Sequence, residues 1–321
     1  MRSSIVMLSL SILLHSSRIQ AFQQLVKART KRRSNYALTS EPRSVYTYAD
    51  TSIIDRGGEI LPFPIDEIPV PQFRSNPLVE FFGEAFGTFW IVGIGSMASM
   101  AATFVNPFMT LPQIALVWST AVTSAILFTS PLSGAHLNPA FTIAQAMFRS
   151  FDWRKVLPYI GAQLVGSMAG SALSFEYFRS AIEGFEQAGG LTHASSIDSA
   201  RVFGEYFDPS LTATQAFGVE AAGTALLAAV VFAVTHEKNS ERNIPVPFVV
   251  GGAVFSLINV LAPFSQCGLN PARDFGPRII AFIAGWTDVA FQNCWLYIAA
   301  PILGAITGAA LIDKILYYPK R

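Results

Sequence analysis

Between Ala85 and Phe148 the chain carries no Asp, Glu, Lys or Arg. Soluble domains carry roughly 25% of these residues, so a run of this length has no ordinary place in water. The pattern recurs, with charge-free stretches at Val156–Phe175, Ala221–Thr235, Asn243–Ala272 and Val289–Ile312. Over the 321 residues the charged fraction is 13% and the mean hydropathy +0.42. About 20 apolar residues cross a bilayer as a helix. The five stretches accommodate six such spans, expected near 78–101, 113–131, 156–177, 214–235, 245–263 and 294–316. The fold class is an all-α polytopic membrane protein.

Basic residues in short loops orient such a chain. Arg74, then Arg149, Arg154 and Lys155, then Lys238 and Arg242, then Lys314, Lys320 and Arg321 gather on one side. The opposite loops, 102–112 and 178–213, hold only Arg179 and Arg201. Both ends therefore face the cytosolic or stromal side. A net charge of +1 leaves no electrostatic footprint for nucleic acid. The two cysteines, Cys267 and Cys294, fall in the membrane part and form no disulfide framework, and the reading as a small buried hydrophobe is the favoured one for Cys294.

The N-terminus reads separately. Arg2 precedes a short apolar run, Ile5–Leu14, and Ala21-Phe22 follows, the layout of a signal peptide over 1–21. Residues 22–44 hold six Lys or Arg against one acid, Glu41, with scattered Ser and Thr, the composition of an organelle transit peptide. The pair resembles the two-part plastid presequence of diatoms and related algae, which implies the plastid envelope. The other reading is a plain signal peptide or anchor followed by a basic tail, with the plasma membrane or an endomembrane as destination. Residues 45–75, with five acids and many prolines, read as a flexible lead-in.

An internal repeat decides the architecture. Glu84-Ala-Phe-Gly87-Thr88 in the first span matches Glu220-Ala-Ala-Gly223-Thr224 in the fourth. Asn138-Pro139-Ala140 follows the first at nearly the distance at which Asn270-Pro271-Ala272 follows the second. The repeats cover about 76–177 and 214–318. Halves of three spans each enter the membrane with opposite orientation, and such inverted repeats place their site near the midplane, where helices are interrupted.

Each Asn-Pro-Ala supplies such an interruption. Asn is a strong N-cap and Pro is favoured at the first helical position, so each motif starts a short half-helix, Ala140–Phe148 and Ala272–Ile283. The small, irregular segments before them, Ser133–Leu137 and Ser265–Leu269, belong where backbone lines a wet cavity. Two half-helices meeting end to end place roughly half a positive charge each at the centre. Asn138 and Asn270 aim amide donors at the lumen, and loop carbonyls supply acceptors. A neutral hydroxylic solute passes by exchanging hydrogen bonds, whereas a cation or proton meets a barrier.

This arrangement resembles the major intrinsic protein family, the aquaporins and aquaglyceroporins, over about residues 76–318. The resemblance implies the aquaporin fold of six spans, two re-entrant half-helices and an inverted 3+3 repeat, assembled as a homotetramer in the lipid. It implies that Glu84 and Glu220 support the irregular loops, with His136 beside the pore, and that Trp118, Ile258, Cys267 and Arg273 form the selectivity filter. Arg273 would offer guanidinium donors to a solute hydroxyl and repel cations. Asp274 and Arg278, i and i+4 on the second half-helix, stand where the glycerol-conducting branch carries an acid and a base. The stretch "FGEYFDPSLTATQAFGVE", 203–220, resembles the third loop and fourth span of glycerol facilitators. Ile258 and Cys267 depart from the Gly and Phe of a typical glycerol filter.

The expected function is passive conduction of glycerol, urea and water with exclusion of ions and protons. A water-selective channel is the alternative within the family, and a structural or junctional membrane protein the alternative outside it. The membrane part offers no nucleophile–base set, no metal-spaced His/Cys set and no phosphate-cradling loop, so neither enzyme activity nor a cofactor is expected. Proton-coupled transport would want titratable groups in the path, and Glu84, Glu220 and His136 are the candidates.

Overall fold

The structure, a computed structural model, describes residues 53–54, 60–61 and 76–317. The chain divides into two units, Met1–Gln72 and Phe73–Arg321. Of the first, the described part is an antiparallel ladder of β1 (Ile53–Ile54) with β2 (Ile60–Leu61), Ile53 opposite Leu61. The expected signal and transit-like segments lie outside the described residues, as does the lead-in apart from that ladder.

The second unit is helical. Its elements in chain order are α1 (Pro77–Met100), α2 (Leu111–Ser133), α3 (Pro139–Phe148), α4 (Trp153–Gly189), α5 (Ile197–Ala200), α6 (Ala213–Val234), α7 (Val246–Ser265), α8 (Pro271–Ala281) and α9 (Cys294–Ala310). Six are long and apolar enough to cross a membrane, namely α1, α2, α4, α6, α7 and α9. Their starts are written in the sequence. The Asn76 side chain accepts from Leu78 N–H, Thr110 with Gln113 forms a capping box for α2, and Thr212 with Gln215 does the same for α6.

Helices in lipid gain little from hydrophobic contact with one another, so small residues that let backbones approach carry the packing. The most extensive helix contacts are α1 with α4 and α6 with α9. A Cβ on Gly166 would lie 1.9 Å from the Ala85 carbonyl oxygen, and one on Gly304 would lie 2.3 Å from that of Ala221. Ala85 and Ala221 follow the two repeat glutamates, so the two halves close by the same device.

Two boundaries differ from expectation. The third span runs on to Gly189 instead of ending near 177. Phe178 and Ile182 on this extension are buried in a cluster with Val202, Phe203 and Trp286, and Gly190, at φ 63°, ends it in the left-handed region. Charges on its outer face (Glu176, Arg179, Glu183) disguise it as loop. The first span likewise continues through a π turn, Ala101–Val105. Cys294 is half-buried rather than buried.

Candidate functional site

The site begins where α2 and α7 stop. Gly134 (φ 85°) and Gln266 (φ 62°) end them, and Ala135, Leu137, Cys267 and Leu269 then adopt positive φ. Left-handed backbone costs a non-glycine residue roughly 1–2 kcal/mol, so neighbouring groups have to hold it. Glu84, wholly buried, accepts from His136 N–H at 2.9 Å, Leu137 N–H at 2.7 Å, Ser133 Oγ at 2.6 Å and Gln163 Nε2 at 2.7 Å. Glu220, wholly buried, accepts from Gly268 N–H at 3.0 Å, Leu269 N–H at 2.9 Å and Ser265 Oγ. The His136 ring packs on Phe151 and Tyr159, with Nδ1 3.3 Å from Thr142 Oγ1.

The half-helices meet at their first residues. Asn138 Oδ1 accepts from Ala140 N–H at 2.9 Å, and Asn270 Oδ1 from Ala272 N–H at 3.0 Å, with Pro139 and Pro271 in the first helical position. Each asparagine also reaches across the junction. Asn138 Nδ2 donates to the Leu269 carbonyl at 2.9 Å, and Asn270 Nδ2 donates to the Leu137 carbonyl at 2.8 Å. A primary amide has two N–H donors, so one is spent on the opposite half and one is left for the lumen.

A cavity of about 520 Å³ runs past this junction. Its lining reaches from Thr103, Arg201 and Glu205 at the side of the long loop to Gln145, Thr235 and Val246 at the side of the termini. Apolar side chains, Ile91, Ile114, Val122 and Val250 among them, and the irregular segments 134–138 and 266–270 line it together. Trp118, Ile258, Cys267 and Arg273 all line it. Trp118 lies flat on Gly95, where a Cβ would come within 2.2 Å of the ring. Its Nε1 donates to Ser99 Oγ at 3.3 Å. The Arg273 guanidinium stands 4.3 Å from the Trp118 ring centroid and pairs with Glu205.

Residues 72–312 match the family described as Major intrinsic protein. The chain belongs to that family. It is 36% identical over 250 residues to a glycerol uptake facilitator protein of Pseudomonas aeruginosa, covering 75% of this chain and 88% of that one. It is 35% identical over 249 residues to a propanediol uptake facilitator of Citrobacter freundii, covering 75% and 91%. Among solved structures it resembles the aquaglyceroporin from Plasmodium falciparum, with a TM-score of 0.67, 27% identity, and coverage of 75% of this chain and 98% of that one. This major intrinsic protein is an integral, multi-pass membrane protein with the aquaporin fold, of a channel-forming family.

Sequence reasoning about this family member missed two charged residues at the cavity, Arg201, read only as a loop cation, and Glu205. Glu205, far from both Asn-Pro-Ala motifs, joins the titratable groups considered for the path. The available signal was an acid inside "FGEYFD", a segment noted for its resemblance but not for its charge. Asp274 and Arg278 lie off the cavity, wholly buried, with Arg278 Nε donating to Asp274 Oδ2 at 2.8 Å. Among the described residues no cluster of His, Cys, Asp and Glu is arranged to hold a metal ion.

Proposed function

We propose that this protein is a passive channel for glycerol, urea and water that excludes ions and protons. One observation carries the reading: the cavity is lined by apolar side chains together with the irregular segments and their two asparagine amides, with Arg273 over the Trp118 ring. A polyol is amphipathic in the same sense. Its carbon chain prefers Trp118 and Ile258, and its hydroxyls exchange hydrogen bonds with Arg273, the free amide hydrogens of Asn138 and Asn270, and loop carbonyls. The glycerol and propanediol facilitators among its relatives favour a polyol over water alone.

The roles follow. Trp118, Ile258, Cys267 and Arg273 select, the Asn-Pro-Ala motifs set the central polarity, and Glu84, Glu220 and His136 hold the pore wall. Trading Gly for Ile at 258 narrows one wall and trading Phe for Cys at 267 opens another, so the aperture is shifted rather than shrunk. Four subunits, each with its own pore, form the assembly. Residues 76–318 are the channel, with 1–44 a two-part address to the plastid envelope. Tagging full-length protein and a form lacking 1–44 tests the address, and matching distributions of the two would refute it.

Stopped-flow light scattering of proteoliposomes under glycerol, urea and water gradients tests the function. Fast, passive flux of all three supports it. Water flux without glycerol flux makes the protein a water channel, and no flux of either makes its role structural.

A further inference from the structure

Glu205 belongs to the loop between α5 and α6, yet its side chain is 1% exposed and lies against the filter guanidinium. A loop carboxylate reaches a buried arginine only if its backbone is held. Both backbone polar groups of Glu205 are held. Its N–H donates to Asp274 Oδ1 at 2.7 Å, and its carbonyl accepts from Arg278 Nη2. Arg278 is anchored on its far side, donating through Nη1 to the carbonyls of Ala290 at 2.7 Å and Gln292 at 3.3 Å. The clamp fits because position 204 is glycine, where a Cβ would come within 2.6 Å of Arg278 Nε. The next N–H, that of Tyr206, donates to Gln266 Oε1 at 2.8 Å, tying the loop to the pore wall as well.

We propose that Glu205 is a fifth residue of the selectivity filter, delivered there by the Asp274–Arg278 clamp, and that it sets the position and net charge of the Arg273 guanidinium. The inference rests on the reading of the cavity as a solute path. A guanidinium carries five N–H donors. Ionised Glu205 pairs with the guanidinium at Nη1 and cancels its charge, which leaves the donors turned away from the pair for solute beside Trp118. Protonated Glu205 loosens this tether. Arg273 then carries its full charge, draws water, and extends into the lumen.

The groups that face Glu205 are Arg273, Asp274 and Arg278 on α8, Glu220 on α6, Tyr297 on α9, Cys267 in the irregular segment and Tyr206 beside it. Burial pushes the Glu205 carboxyl up to about 8, against the pull of Arg273 and with Asp274 and Glu220 adding to the rise. A carboxyl raised in this way is neutral below that pH and ionised above it. The tethered, open filter is therefore the alkaline state.

The test uses full-length protein in proteoliposomes, with equal pH on both faces, stepped from about 6 to about 9.5 across that midpoint. Wild-type glycerol flux is expected to rise about threefold or more with pH, a modest free-energy change for a charge-assisted contact, and water flux to rise less. Glu205→Gln keeps the shape of the side chain and is expected to hold glycerol flux at the acid level throughout. Asp274→Asn, outside the cavity lining, is expected to flatten the step with Glu205 still present. A wild-type profile that is flat, or a step that survives in Glu205→Gln, overturns the proposal. Absence of wild-type glycerol flux at every pH overturns the functional reading instead.

Discussion

Ile258 and Cys267 are 8% and 6% exposed in the cavity wall, and each offers a direct test of that wall. Mercurials bind cysteine sulfur, so a mercurial is expected to block glycerol flux in the wild type and to leave Cys267→Ser conducting. Cys294, outside the cavity lining, serves as the control, and Cys294→Ser should remain sensitive. Persistent block in Cys267→Ser would remove Cys267 from the path. Ile258→His with Trp118→Phe replaces one apolar wall residue by a polar imidazole and the other by a smaller ring. Changes of this size in an apolar pocket discriminate by roughly tenfold, so glycerol flux should fall by that order while water flux holds. Equal loss of both would place the filter elsewhere. The resemblance to the family singled out Trp118, Ile258, Cys267 and Arg273 from the sequence, and all four line the cavity. Glu205 was not legible there, because its partner Arg273 lies far away along the chain and only the folded loop joins them.

At the scale of elements, Glu84 bonds the stop of α2 to the start of α3, and Glu220 does the same for α7 and α8. Replacing Glu84 by Ala strands the N–H groups of His136 and Leu137 and one of the two Gln163 amide hydrogens, the other staying on Thr142 Oγ1 at 3.0 Å. Each stranded buried donor costs about 1–3 kcal/mol, so thermal unfolding in detergent should move down by several degrees. An unchanged midpoint would mean that water replaces the carboxylate. Gly304→Val tests the approach of α9 to α6, where even a Cβ meets the Ala221 carbonyl oxygen at 2.3 Å. Overpacking of this kind costs about 1–3 kcal/mol or more, and the expected readout is a lower yield of folded protein by size-exclusion chromatography. The repeat made the half-helices legible, since Asn, Pro and the charge-free run after them are local signals. The length of α4 was not legible, because Glu176, Arg179 and Glu183 face outward while the apolar face that keeps the helix going is covered by the distant residues Val202, Phe203 and Trp286.

At the scale of the whole molecule, a channel equilibrates its solute and stores none. In proteoliposomes an imposed pH gradient should drive no accumulation of labelled glycerol above the outside concentration. Accumulation against a gradient would mark a coupled transporter, which shares the inverted repeat but would use Glu205 or His136 as a proton carrier. Ion conductance in planar bilayers should stay at background, since the two half-helix N-termini remain at the centre whatever the state of Glu205.

What the sequence determined by itself was everything carried by hydropathy and by repetition. Charge-free runs demanded helices across a bilayer, the odd number of spans per repeat demanded inversion, and two Asn-Pro-Ala motifs demanded half-helices at the centre. Each follows from a local preference or from counting. The tertiary structure alone decided which donors remain free and which charges are cancelled. Asn138 and Asn270 each spend a hydrogen on the opposite half, and Arg273 is paired by a loop held through Asp274 and Arg278. Those contacts join residues distant in the chain, and hydrogen-bond partnership depends on position in space, which no local pattern encodes.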